Sequence, residues 1–330
     1  MSRTHAMRRR LGLAAGAIAL GALGGCGLWP WSSSRPVLPE LPPITAPASA
    51  RLAWTLPLPG AGVGFQPVFA GGSVWAAARD GTVVRVDPAS GRAMWRSNAG
   101  QPLLSGAGSD GEMVVVGGRD GSLIALDRDG RPKWSVQTGA EIVTVPSVAL
   151  GLVLVRTSDN RVAAFESDTG KRRWTFQRQS PPLVLRQTSL IAMDAGSAYV
   201  GLPGGRMVAL SLETGALRWE AAVTMPRGSN EIERIADVVG SPLVSGREIC
   251  AATFQGRAGC FEAGTGRALW ARELSSPSGL DVDGRLVVVP DDRGQVHAFA
   301  RSGASVWRQD KLRLRGLSAP LLVPGFVLIG

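Results

Sequence analysis

DGTVVRVDPASGRAMW, residues 80–95, decides the fold, because five further segments of the chain line up with it. They are DGSLIALDRDGRPKW (120–134), DNRVAAFESDTGKRRW (159–174), GGRMVALSLETGALRW (204–219), QGRAGCFEAGTGRALW (255–270) and RGQVHAFARSGASVW (293–307). Trp95, Trp134, Trp174, Trp219, Trp270 and Trp307 each stand four residues after a glycine. Nine or ten residues before that glycine comes a second turn residue: Gly81, Gly121, Asn160, Gly205, Gly256 or Gly294. Tight hairpins need residues that accept positive φ, and asparagine tolerates it better than most, so Asn160 is the expected substitute for glycine.

Between the two turns, runs such as Val84-Arg85-Val86 and Leu123-Ile124-Ala125-Leu126 read as strands. A further strand precedes each first turn, over 73–78, 113–117, 152–157, 198–202, 248–253 and 286–290. Pro67-Val68, Pro146-Ser147-Val148 and Pro242-Leu243-Val244 suit the start of an innermost strand. Each repeat thus holds about four strands, which is one blade of an all-β propeller. The tryptophan falls on the outer strand, where its apolar face can pack on the neighbouring blade. A sandwich or solenoid would make six registered Gly-x-x-x-Trp matches a coincidence.

Six repeats are complete, and LSAPLLVPGFVLIG (317–330) begins a seventh. Trp54 reads as the outer strand of a blade whose other strands come from the C-terminus, an exchange that removes open sheet edges. On that reading the full-length protein has eight blades, and roughly sixty residues at the repeat period follow Gly330.

Composition agrees with a folded β class: 45% of the 330 residues are apolar, 19% are charged, and there are 43 glycines and 22 prolines. The net charge of +10 is partly local. Arg3, Arg8, Arg9 and Arg10 precede Cys26, no acidic residue does, and without those four the charge falls to +6. The remainder is scattered and not interleaved with aromatics, which argues against nucleic-acid binding.

Residues 1–25 read as a signal peptide, with a basic start and an apolar stretch, Leu11 to Leu23, too short to span a bilayer. Leu23-Gly24-Gly25-Cys26 resembles the lipobox of bacterial lipoproteins, which makes Cys26 the lipidated residue. Acyl chains there would hold the protein on a membrane. Gly27 stands where inner-membrane-retained lipoproteins often carry aspartate, so the resemblance implies the outer membrane. Residues 26–50, with six prolines from Pro30 to Pro47 and Ser32 to Ser34, read as a tether, and 51–330 as the propeller.

Catalytic constellations are scarce. His5 lies in the signal segment and His297 in the strand 295–299, so no metal site with two histidines and no Ser–His–Asp set can be assembled. Asp80, Asp120, Asp159 and Asp291 recur at turns, which turn geometry explains. Cys250 and Cys260 straddle the Gln255-Gly256 turn symmetrically and could form a cross-strand disulfide or remain two buried thiols.

The repeats resemble the pyrroloquinoline-quinone-like, tryptophan-docked class of propellers; no Trp-Asp dipeptide closes a blade. No Cys-Cys dipeptide of the quinoprotein dehydrogenases occurs either, so no cofactor is expected. Lipobox, tether and repeats together resemble the BamB family of outer-membrane assembly lipoproteins. The specific matches are GSNEIERIADVVGSPLV (228–244), Leu183-Val184-Leu185-Arg186, ARELSSPSGLDVDGRLVVV (271–289) and residues 312–320. The resemblance implies a non-enzymatic scaffold that binds the barrel-forming core subunit, a BamA-like protein, through its periplasmic domains. It assigns the contact to Leu183, Leu185, Arg186 and Asp237. The family's frequent second acid falls at Val239 here. An extended loop would turn Val184 away from its neighbours. Blade edges could also take strands of unfolded outer membrane proteins by β-augmentation. The alternative function is a periplasmic quinoprotein or ligand-binding propeller.

Overall fold

The computed structural model describes residues 38–41, 51–62, 64–185 and 189–330. Cys26 and nearly all of the 26–50 segment lie outside the described residues, as does Arg186. Two compact units are separated, 1–40 and 41–330. In the first only residues 38–40 are described, and they form no regular element.

The second unit contains six four-stranded antiparallel sheets and one two-stranded sheet. Each sheet is an up-and-down meander in sequence order, and no helix occurs among the described residues. Blades one to six span residues 68–98, 108–137, 147–177, 192–222, 238–273 and 281–309, and the two-stranded sheet is Leu321–Val323 with Phe326–Leu328. The first strands of successive blades contact one another in order, which is the radial arrangement of a propeller.

The core is a series of seams between blades. In blade three, Val162, Ala164 and Trp174 pack with Val200, Val208 and Leu210 of blade four. The intervening Ala163 and Phe165 pack with Val115, Leu123 and Ala125 of blade two. Successive side chains of one strand therefore serve opposite neighbours, and both faces are buried. This is why the third strands read as nearly continuous apolar runs instead of alternating with polar residues. Arg85 is one exception. It is buried, yet its Nε donates to Ser73 Oγ at 2.9 Å, its Nη1 donates to the Arg128 carbonyl at 3.1 Å, and it covers the Trp75 ring.

Every blade repeats one irregularity. The register between third and fourth strands slips just after the residue opposite the tryptophan, as at Ala164/Phe165 beside Trp174. Such a bulge re-aims the side chains around it. The indoles of blades one to five then cover the turn glycine of the following blade. Trp95 lies on Gly130, Trp134 on Gly170, Trp174 on Gly215, Trp219 on Gly266 and Trp270 on Gly303; a Cβ built on any of these glycines would fall 2.6–2.7 Å from the ring. The indole Nε1 donates to a carbonyl of the same turn at 2.7–2.9 Å. Trp54 occupies the corresponding place on Gly91, with Nε1 donating to the Pro88 carbonyl at 2.8 Å, although residues 51–58 form no strand.

Asn160 takes the expected positive φ, while two other local expectations are adjusted. Asn160 has φ +60°, but in blade five the positive φ falls on Gln255 (+49°) and not on Gly256. Gly256 is instead required by packing, since a Cβ there would meet Thr224 Cγ2 at 2.6 Å. The innermost strand of blade five runs Val238–Ser245, starting four residues before Pro242, with a register shift between Val239 and Leu243 that accommodates the proline.

Cys250 and Cys260 face each other across the second and third strands of blade five and form a disulfide, fully buried in the seam with blade six.

Candidate functional site

Antiparallel meanders place first–second and third–fourth turns on one end of the propeller. The second–third turns and the connections between blades lie on the other. Leu183, Leu185 and Asp237 belong to that second end. Residues 178–190 connect blade three to blade four, and residues 223–237 connect blade four to blade five.

The described residues of the 178–190 connection, 178–185 and 189–190, have no regular structure, but they are pinned at several points. Asn160 Nδ2 donates to the Arg178 carbonyl at 3.3 Å, and Val145 N donates to the Ser189 carbonyl at 3.1 Å. Leu190 N donates to Ser241 Oγ and Ile191 N to Ser147 Oγ, both at 2.8 Å. Between these anchors, Leu185 N donates to Asp237 Oδ2 at 2.6 Å. Leu183 and Val184 are left 44% and 38% exposed, while Leu185 is half-buried. The chain bends at Pro182-Leu183, so the segment is not the extended strand on which the expectation for Val184 rested.

Asp237 is buried, with 4% of its surface exposed. Its second oxygen accepts from Gly204 N at 2.9 Å, and its carbonyl accepts from Phe254 N at 3.0 Å. The structure therefore brings Asp237 together with Leu185, but as the bracket that holds the loop and not as an exposed acid. Val239 is 1% exposed and sits in the blade-five inner strand. An acid there would be desolvated.

The longer connection adds a stapled turn. Glu233 Oε2 accepts from Ser229 N and Oγ at 2.8 and 2.9 Å, Oε1 accepts from Asn230 Nδ2, and Glu233 N donates back to Asn230 Oδ1. The hydrogen bond from the Ser229 backbone, followed by that from its hydroxyl, holds the Glu233 carboxyl below the ordinary glutamate value. Ile232 and Met225 of this segment are 67% and 58% exposed.

Sequence reading missed Arg156, which ends the second strand of blade three. Arg156 N donates to Thr144 Oγ1 at 2.9 Å, and its Nη1 lies 3.5 Å from Asn160 Oδ1. Its Nε is buried without a hydrogen-bond partner. Burial pulls this guanidinium below its ordinary pKa, and the charge of Asp237 opposes that pull.

Elsewhere the chemistry is sparse. His297 Nε2 lies 3.0 Å from Asp291 Oδ2, and its ring stacks on Phe299. The two border an open cavity of about 390 Å³ that is also lined by Glu273, Asp292, Arg293 and Arg308. Glu248, Cys250 and Cys260 cluster within ligand distance of one another, but the two sulfurs are bonded together and offer no thiolate.

Comparison with known proteins agrees with this geometry. Residues 79–309 match the family described as "Outer membrane protein assembly factor BamB". The protein of that name from Bordetella pertussis is 41% identical over 312 residues, covering 94% of this chain and 81% of its own length. That from Burkholderia pseudomallei is 41% identical over 268 residues, covering 81% and 70%. The crystal structure of BamB from Moraxella catarrhalis superposes with a TM-score of 0.75 at 30% identity, covering 80% of this chain and 81% of that one. A quinohemoprotein alcohol dehydrogenase from Comamonas testosteroni reaches a TM-score of 0.61 at 14% identity, a likeness of fold alone. Blades, docking tryptophans and the two long connections thus sit on a chain that belongs to the BamB family of outer membrane protein assembly factors.

Proposed function

We propose that this protein is a non-enzymatic assembly factor for outer membrane proteins. It docks on the barrel-forming core subunit of the assembly machine through the 178–190 loop. The observation that carries the reading is the pinned loop: Leu183 and Val184 are held outward while Asp237 fixes Leu185 from below. Apolar side chains on a pre-ordered backbone lose little entropy on binding, which suits an interface anchor. Arg186 adds a charge beside them in sequence. Catalysis has no comparable support, since the described histidine is engaged by Asp291.

The same reading assigns residues 1–25 to a signal peptide, Cys26 to the lipid anchor and 26–50 to a tether, placing the propeller on the periplasmic side of the outer membrane. Mass spectrometry of the mature N-terminus tests this part; an unmodified Cys26 thiol would refute it. Capture of strands from unfolded outer membrane proteins belongs to the same proposal.

The docking test is co-purification from solubilised envelopes. The tagged protein is expected to bring down the core subunit, and Leu183→Asp and Arg186→Glu to lose it with the fold intact. Retention by both variants would overturn the assignment.

A further inference from the structure

The six repeats provide an internal standard for what the fold itself requires. At the second-strand position paired with the residue two after the second–third turn residue (Val83, Leu123, Val162, Met207, Ala258 and Val296), the blades carry Ala77, Gly117, Arg156, Gly201, Ala252 and Pro290. Five of these are small. The reason is visible at Gly117 and Gly201, where an added Cβ would lie 3.1 Å from Ile142 and 2.6 Å from Val238. Ile142 belongs to the connection into the next blade, and Val238 opens the first strand of the next blade. Both insert as buried plugs, 0% and 9% exposed. Leu103, 0% exposed, belongs to the corresponding connection from blade one to blade two.

Blade three departs from this rule, and the connection that leaves it exposes Leu183 and Val184. Arg156 fills the small-residue position, and the connection leaving blade three is the 178–190 loop. Arg156 is linked to both ends of that loop. Its Nη1 faces Asn160, whose amide holds the Arg178 carbonyl. Its backbone carbonyl accepts from Val143 N at 2.9 Å, and Val145, two residues on, holds Ser189. The arrangement retains a buried Nε with no partner, which costs stability that a small apolar residue would not.

We propose that Arg156 is a positioning residue for partner docking. It occupies the space into which an aliphatic plug drops in other blades, so that Leu183 and Val184 stay outside. Its charge sits opposite the Asp237 bracket that fixes Leu185. This rests on the docking reading above, and it makes the exposed leucines a consequence of one substitution in the repeat.

The test measures affinity of the purified full-length chain for the core subunit, beside thermal unfolding of each variant. Arg156→Ala is expected to weaken binding at least about tenfold, or about 1.4 kcal/mol, with an unchanged or higher Tm. Arg156→Lys, which keeps length and charge, is expected to restore binding to within about threefold, roughly half that free energy. A merely structural arginine would lower Tm, and that result overturns the proposal. So does wild-type affinity in Arg156→Ala, or a loss in Arg156→Lys equal to that in the alanine variant. Leu183→Asp serves as the control: if it abolishes binding while Arg156→Ala does not, the positioning role fails and the docking site stands. If neither changes binding, the docking reading itself fails.

Discussion

Trp174 closes the seam between blades three and four by lying flat on Gly215, whose φ is +73° and whose absent Cβ would sit 2.6 Å from indole Cε3. The glycine is fixed twice, by backbone conformation and by the ring above it. The indole is 7% exposed and spends its Nε1 proton on the Leu212 carbonyl. Trp174→Ala is expected to cost about 3–5 kcal/mol. Gly215→Ala, which strains the turn and displaces the ring, should also destabilise by a kcal/mol or more, on the order of the strain of a forced left-handed residue. Chemical denaturation monitored by tryptophan fluorescence checks both, and a wild-type midpoint for Gly215→Ala would contradict the docking geometry.

The disulfide closes a short loop, since Cys250 and Cys260 are 10 residues apart in sequence. Loop-closure entropy for such a span predicts a loss of roughly 3 kcal/mol when both are changed to alanine. Calorimetry of the double variant should show a lower Tm, and wild-type protein should shift downward in reductant only as it unfolds, because the bond is buried. An unchanged Tm would mean that the link does not staple blade five.

Acid should loosen the turns before the seams. Backbone amide hydrogen bonds hold the carboxyls of Asp80 (from Thr82), Asp120 (from Ser122) and Asp283 (from Leu286) below the ordinary 3.8. A group whose pKa is lower folded than unfolded stabilises the fold above its unfolded value. That contribution is lost as pH falls through its folded value. Thermal stability is therefore expected to fall as pH drops below about 3.8. Asp80→Asn and Asp120→Asn together should flatten the decline. A profile as steep as wild type would assign the acid sensitivity to other groups.

Asp237 makes a separable prediction. In Asp237→Asn one carboxylate oxygen becomes an NH₂ that faces an amide N–H, from Leu185 or from Gly204. Losing a buried charged acceptor costs about 1–3 kcal/mol. Hydrogen exchange should accelerate at Leu185 and Gly204 while the Leu152–Arg156 strand keeps its protection. Unchanged exchange at both amides would remove the bracket role.

Much of the architecture was legible because the repeat states its own punctuation: turn residue, strand, glycine, tryptophan, in fixed register. Strand limits at Met113–Gly117, Glu248–Thr253 and Leu286–Pro290 follow from the sequence directly. The early start of the Val238–Ser245 strand was not legible, because a register shift hides the pairing behind Pro242. The loop residues could be singled out by family likeness, but their roles depend on contacts between distant segments. Asp237 is 52 residues from Leu185 and reads as an exposed acid until the fold buries it. Arg156 left a signal that only a column-by-column comparison of the six blades exposes, since a single arginine at a strand end is ordinary by itself.

Site-specific photo-cross-linking tests the central claim most directly. A cross-linker placed at Leu183, on the end that carries the blade connections, is expected to trap the core subunit in intact cells. One placed at Leu150, 69% exposed on the first–second turn of blade three and so on the opposite end, is expected not to. An adduct from position 150 with none from position 183 would contradict the account.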